Sequence, residues 1–140
     1  MKQVTTIIIS LIIGFYTSAT SQTKTFNLSD FSNKEWYAEF STDTYPIPPK
    51  QGWRFSENGE VTSFIYSENG RHEGIVNFYL SNAPVTNFDY NKVGKTPQGK
   101  YIVTINKANY INNLEIISIS PTRMCIRNLY YNSILNFTSD

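Results

Sequence analysis

The stretch "SENGEVTSFIYSENG", residues 56–70, contains the same four residues twice, Ser56-Glu57-Asn58-Gly59 and Ser67-Glu68-Asn69-Gly70. Asn-Gly between apolar runs is the strongest short-range hairpin signal, because a two-residue type I′ loop needs positive φ at both central positions and Gly and Asn reach it most cheaply. The segment between the two turns, Glu60 to Tyr66, is β-branched and aromatic and contains no Pro, as a strand requires. Two tight turns around one strand predict strand, turn, strand, turn, strand. That is an antiparallel meander, and it restricts the chain to architectures built by adding strands in sequence order.

The rest of the chain continues this pattern. Phe26 to Asn33 reads as a short helical or 3₁₀ turn, with Ser29 and Asp30 as capping candidates. Trp36 to Phe40 alternates as a first strand. Residues 41–52 form a loop, since three of the six prolines, Pro46, Pro48 and Pro49, exclude a central strand there. Trp53 and Phe55 share one face of the next strand. Further strands are expected at 74–80, 100–106, 114–120 and 123–129, with a short one at 84–88 and a final strand or closing loop at 130–137. In 100–106, Tyr101, Val103 and Ile105 lie on one face. About eight short strands, with turn signals every eight to twelve residues, predict an all-β sandwich or barrel.

The N-terminus has a different character. Lys2 precedes an apolar run from Ile7 to Tyr16, and Ala19-Thr20-Ser21 places small residues where a signal peptidase cuts. That run is short for a membrane span, which needs about 20 residues. Residues 1–21 are therefore expected to be a signal peptide, and 22–140 a single mature domain that is secreted or periplasmic. No Cys near the cleavage point is available for a lipid anchor. Lys2 is one of twelve basic residues, so eleven basic face eleven acidic in the mature chain. No basic stripe for nucleic acid or for an anionic membrane is visible. The single cysteine, Cys125, excludes an intramolecular disulfide.

Residues that carry chemistry are sparse. His72 is the one histidine. It sits at the end of a hairpin beside Glu73, and neighbours on a strand point to opposite faces. The simpler reading is a solvated turn residue, the sharper one an acid–base or metal role. Cys125 shares a face with Arg123 and Arg127, which would favour a thiolate, while the simpler reading is a small half-buried apolar residue. Scattered carboxylates suggest neither calcium nor glycosidase chemistry. No phosphate-cradling Gly-rich loop precedes a helix. No catalytic residue, metal site or cofactor is expected, and the expectation is a non-catalytic protein.

Several segments resemble the lipocalin family, in its small bacterial secreted form. Phe26-Asn27-Leu28-Ser29-Asp30-Phe31-Ser32-Asn33-Lys34-Glu35-Trp36-Tyr37 is similar to the short helical turn that leads into Gly-x-Trp-Tyr on a lipocalin's first strand. The pattern Trp53-x-Phe55-x-x-Asn58-Gly59-x-Val61 is similar too, as are Gly99-Lys100-Tyr101-Ile102-Val103 and Leu114-x-Ile116 followed by Met124-x-Ile126. Lys34 stands where the family has Gly, and the Thr-Asp-Tyr motif is not clear. The late Arg that packs over the first-strand Trp could be Arg123 or Arg127. The resemblance implies an up-and-down barrel with Trp36 as a structural plug at the closed end and the Pro-rich loop 44–51 at the mouth.

The expected function is binding of a small hydrophobic ligand by the apolar faces of the central strands: Trp53, Phe55, Tyr101, Val103, Ile116 and Met124. The alternative is a filled barrel or sheet that engages an envelope protein or glycan through loops 41–52 and 81–98.

Overall fold

The computed structural model describes residues 24–140. The expected signal peptide at 1–21 lies outside the described residues. Ten strands form. β1 (Phe26–Asn27) leads to a 3₁₀ turn at Leu28–Asp30, followed by β2 (Glu35–Ala38), β3 (Gln51–Phe55), β4 (Glu60–Ser67) and β5 (Gly70–Ser81). A second 3₁₀ turn at Tyr90–Lys92 precedes β6 (Gln98–Gly99), β7 (Tyr101–Ile105), β8 (Ile111–Ile119), β9 (Arg123–Asn128) and β10 (Ser133–Thr138). Eight strands are hydrogen-bonded in a ring of order β10-β2-β3-β4-β5-β7-β8-β9, every pair antiparallel. The final strand joins the first of the ring through two pairs, Phe137 opposite Ala38 and Thr138 opposite Tyr37, a short contact that closes the ring.

Both SENG stretches turn the chain, in a form other than type I′. Only the glycines take positive φ, 89° at Gly59 and 102° at Gly70, while neither Asn does. In the first turn Gly59 N–H donates to Ser56 C=O at 3.2 Å and Ser56 N–H to Glu60 C=O at 2.9 Å. This first turn, with its positive-φ residue at the end, is the longer alternative to a two-residue loop, whereas in the second Ser67 pairs with Gly70 and leaves Glu68 and Asn69 as a two-residue loop. Four further expectations are corrected. The first 3₁₀ turn is entered from Asn27, and neither Ser29 nor Asp30 caps it. Residues 84–88 form no strand. β5 begins four residues early because Arg71, His72 and Glu73 pair with Tyr66, Ile65 and Phe64. Gln98–Gly99, where Pro97-Gln98-Gly99 reads as a turn, instead forms a short strand that pairs with Phe26–Asn27.

The meander gives the ring two ends. At one end lie the first SENG turn, the segment between β5 and β6, residues 120–122 and the N-terminal 3₁₀ turn. This end is closed. Phe31, Trp36 and Phe55 are fully buried there, joined by Phe78. Phe55 meets Phe31 edge-on at 5.2 Å and Phe78 at 5.3 Å, and such pairs add about 0.5–1.5 kcal/mol each beyond area burial. The N-terminal segment is tied across this end by Leu28 N–H to Pro97 C=O at 2.8 Å and Asn33 N–H to Phe55 C=O at 2.7 Å. Loop 39–50, the second SENG turn and residues 106–110 and 129–132 lie at the other end.

Candidate functional site

Strand alternation assigns the two faces of the ring. Trp36, Trp53, Phe55, Val61, Val76, Phe78, Leu80, Ile102, Leu114, Ile116, Met124, Ile126, Leu135 and Phe137 belong to one apolar cluster and face inward. Of the expected ligand residues, Trp53, Phe55, Ile116 and Met124 are in this cluster. Tyr101 and Val103 are not. They alternate with inward Ile102 and lie on the outer face, where Val103 is covered by the segment that follows β5. Phe88 of that segment packs on Tyr79 at 4.9 Å, and the Asn113 amide bonds Val85 N–H and C=O at 2.9 Å each. With both faces of β7 covered, periodicity could not tell inside from outside.

Ile116 and Met124 lie deep in the packed region, at 2% and 1% exposure. The open volume lies nearer the mouth. A cavity of about 160 Å³ is lined by Trp53, Phe55, Val61, Ser63, Val76, Thr104, Asn112, Leu114, Asn128 and Leu135. None of these side chains is charged. Trp53 and Ser63 also line a cleft of about 380 Å³ with Ala38, Gln51, Ile65, His72 and Gly74. The two spaces share Trp53 and Ser63 in their walls, so the inner cavity lies next to the mouth cleft. Small inward residues make the room: Ser63 is paired with Gly74, and Ala38 faces Phe137. Of the ten residues around the inner cavity, only Trp53 and Phe55 were among the expected ligand residues. Thr104, Asn112 and Asn128 were missed because isolated polar residues in strands read as solvent-facing.

Trp36 is fully buried, and its Nε1 donates to Phe31 C=O at 2.8 Å. Neither Arg123 nor Arg127 packs over it. The Lys34 ammonium takes that place, 4.8 Å from the ring centre, and donates to Pro121 C=O at 3.0 Å. Arg123 pairs with Glu39 at 2.9 Å and Arg127 with Glu115 at 3.2 Å, both on the outer face. Cys125 lies between these two arginines with intermediate exposure. His72 turns toward the mouth cleft, its Nε2 3.0 Å from Ser67 Oγ, whereas Glu73 contacts Arg71 at 2.7 Å on the opposite face. The two side chains therefore turn apart, although both residues border the cleft. Among the described residues no group of three or more His, Cys, Asp or Glu is placed to hold a metal ion.

The outer face carries a polar cluster that the sequence reading missed. Tyr37 Oη donates to Glu35 Oε2 at 2.6 Å, and Arg71 contacts Glu35 Oε1 at 2.6 Å. The tyrosine bond, assisted by Arg71 and opposed by burial, holds Glu35 below its ordinary value. The same bond, with burial, pushes Tyr37 up to about 12. The Arg71 guanidinium carbon sits 4.1 Å from the centre of the Phe64 ring, and Arg71 donates to Tyr66 Oη at 3.2 Å; that bond and Glu35 hold its charge more firmly. Phe64 covers Gly52, where a Cβ would meet the Phe64 ring at 2.9 Å and the Trp36 carbonyl. Glu35 and Tyr37 share a strand face at a spacing of two, a readable signal, but Arg71 is brought in only by the β4–β5 hairpin.

No family model, curated protein or solved structure matches the chain.

Proposed function

We propose that the protein is a lipocalin-like β-barrel, secreted or periplasmic, that holds a small uncharged and largely apolar molecule in its interior without catalysis. The observation that carries this reading is the inner cavity of about 160 Å³, walled by Trp53, Phe55, Val61, Val76, Leu114 and Leu135 and adjacent to the mouth cleft. Concave, mostly apolar sites with a few placed polar groups are the usual form of a small-molecule site. Eight strands is the size at which a barrel either fills its interior or holds one small ligand. The charged outer face and apolar interior invert the pattern of a transmembrane barrel. Among the described residues, no helix is long and apolar enough to cross a membrane. Trp36 acts as the plug that closes the far end.

Native mass spectrometry of the purified protein, repeated after denaturation, tests the reading. The expected result is extra mass that is lost on denaturation, or uptake of an apolar fluorescent probe by protein that arrives empty. A clean mass together with no uptake would refute it.

One observation favours a second reading, in which the mouth loops engage an envelope glycan or protein. Tyr110, Tyr130 and Tyr131 are 70%, 81% and 73% exposed, and all lie at the mouth end. Exposed tyrosines suit sugar stacking. Binding of soluble glycans that is lost on Tyr130→Ala and Tyr131→Ala, with no interior ligand, would decide for it.

A further inference from the structure

We infer that the interior selects a single-ring aromatic molecule that is uncharged and carries one hydroxyl, a phenol in chemical class; this rests on the reading of the interior as a ligand site.

The order of strands places β3 and β8 four positions apart in a ring of eight. Trp53 and Phe55 on β3 therefore face Asn112 and Leu114 on β8 across the cavity. The aromatic wall is fixed in place. Trp53 packs on Phe137 at 5.0 Å with the rings tilted by 34°, and meets Phe55 at 6.1 Å and 90°. A held indole presents a flat surface, and flat rings pair with it in offset or edge-on contact.

The facing wall is polar. Thr104 and Asn112 are cross-strand partners on β7 and β8. Two other polar groups are partly engaged elsewhere: Asn128 Oδ1 accepts from Tyr130 N–H at 3.0 Å and Tyr131 N–H at 3.3 Å, and Ser63 Oγ donates to Gly74 C=O at 3.2 Å. Thr104 and Asn112 supply one hydroxyl and one carboxamide, which together can both donate to and accept from a ligand hydroxyl.

Charge and size narrow the class further. No Lys, Arg or His lines the inner cavity, so a carboxylate inside it would lose its hydration without compensation. An apolar cavity of about 150 Å³ takes up benzene, close to the volume present here. A ring fits between the walls, with its hydroxyl toward β7 and β8.

The test is an NMR titration of the full protein with phenol, benzene, benzoate and decanoate. Phenol is expected to bind about tenfold more tightly than benzene, the worth of one hydrogen bond to a desolvated group, and benzoate to bind far more weakly than either. Asn112→Leu should erase the preference for phenol over benzene and retain benzene binding. If Asn112→Leu does not fold, Thr104→Val, which keeps the side-chain shape, should reduce the same preference. Equal affinity for phenol and benzene, or a preference that survives both substitutions, would overturn the role of the polar wall. Decanoate or benzoate binding as tightly as phenol would overturn the neutral-ring class and leave an interior site standing. Failure of all four to bind would overturn the interior site itself.

Discussion

The two SENG turns provide an internally controlled experiment. Gly59 and Gly70 follow the same three residues and both adopt positive φ, 89° and 102°. An alanine at either position pays for that conformation, about 1–2 kcal/mol. At Gly70 nothing lies within 4 Å of the added Cβ, so no further term applies. At Gly59 the Cβ would collide with Val93 Cγ1, fall 2.5 Å from the backbone nitrogen of Gly94 and lie 3.1 Å from Phe78 C=O. Gly94 has a positive φ of 71° and packs against Asn58 in turn. The collision is with backbone, which cannot rotate away, and overpacking of this kind adds about 1–3 kcal/mol. Gly70→Ala should therefore lose about 1–2 kcal/mol and Gly59→Ala about 2–5 kcal/mol. Urea unfolding of both variants measures the difference, provided the slope with denaturant stays that of wild type. Val93→Ala should recover part of the Gly59→Ala loss and none of the Gly70→Ala loss. Equal losses at the two sites would refute the claim that the segment after β5 is clamped onto the first turn.

Trp36→Ala should lose about 3–5 kcal/mol in the same assay, because a fully buried indole and its bond to Phe31 are removed together; wild-type stability would remove Trp36 from the closed end. Tyr37, pushed up to about 12 by its bond to Glu35, should appear as a late step in an alkaline absorbance titration that moves back toward 10 in Glu35→Gln. The signs differ for the two partners. Tyr37 contributes stability below its ordinary value of 10.0, lost as pH rises through about 12, whereas Glu35 contributes above its ordinary value of 4.5, lost as pH falls through its lowered one. Val76→Phe should fill the inner cavity and abolish uptake of apolar probes while the protein remains folded, read by probe titration beside a thermal melt; undiminished uptake would place the ligand elsewhere.

Much of the meander is legible because turn chemistry and alternation are local. The strand between the SENG turns is expected at 60–66 and found at Glu60–Ser67. The sidedness of β7 is not legible in the same way. Tyr101, Val103 and Ile105 make the more apolar set, and an amphipathic rule turns them inward. The ring turns Ile102 and Thr104 inward instead, and Val103 and Ile102 are both fully buried because the segment after β5 covers the outside. A strand buried on both faces has no polar side to orient it. The polar wall was hidden for the converse reason, since Thr104 and Asn112 read as solvent-facing until closure of the ring places them inside. Arg123 and Arg127 were candidates for the position over Trp36, yet each is paired with a carboxylate on the outer face: Glu39 just after β2, and Glu115 across the β8–β9 ladder. Lys34, just before β2 and two residues from Trp36, reaches the ring from its own segment and is held there by the distant Pro121 carbonyl.

The distribution of side-chain size along the ring argues that its open volume is a consequence of sequence. Near the closed end, every inward position carries bulk: Phe55, Val61, Phe78, Leu80, Ile102, Ile116, Met124 and Ile126, each at most 5% exposed. These positions interdigitate to a packed core, and deleting any one of them leaves a void that the neighbours cannot close. Toward the mouth, Ala38, Ser63 and Gly74 are small inward positions beside the larger Gln51, Ile65 and His72, although their strands continue in register and could carry larger residues. Ser63 and Gly74 face each other across one ladder, so two adjacent strands give up side-chain volume at the same height, next to the Trp53 ring. A sequence selected only for stability would place apolar bulk there, because filling an empty interior is stabilising when no strain is introduced. The fully buried aromatic contacts of Phe31, Trp36, Phe55 and Phe78 are instead concentrated at the end that Trp36 occupies, away from the proposed ligand site.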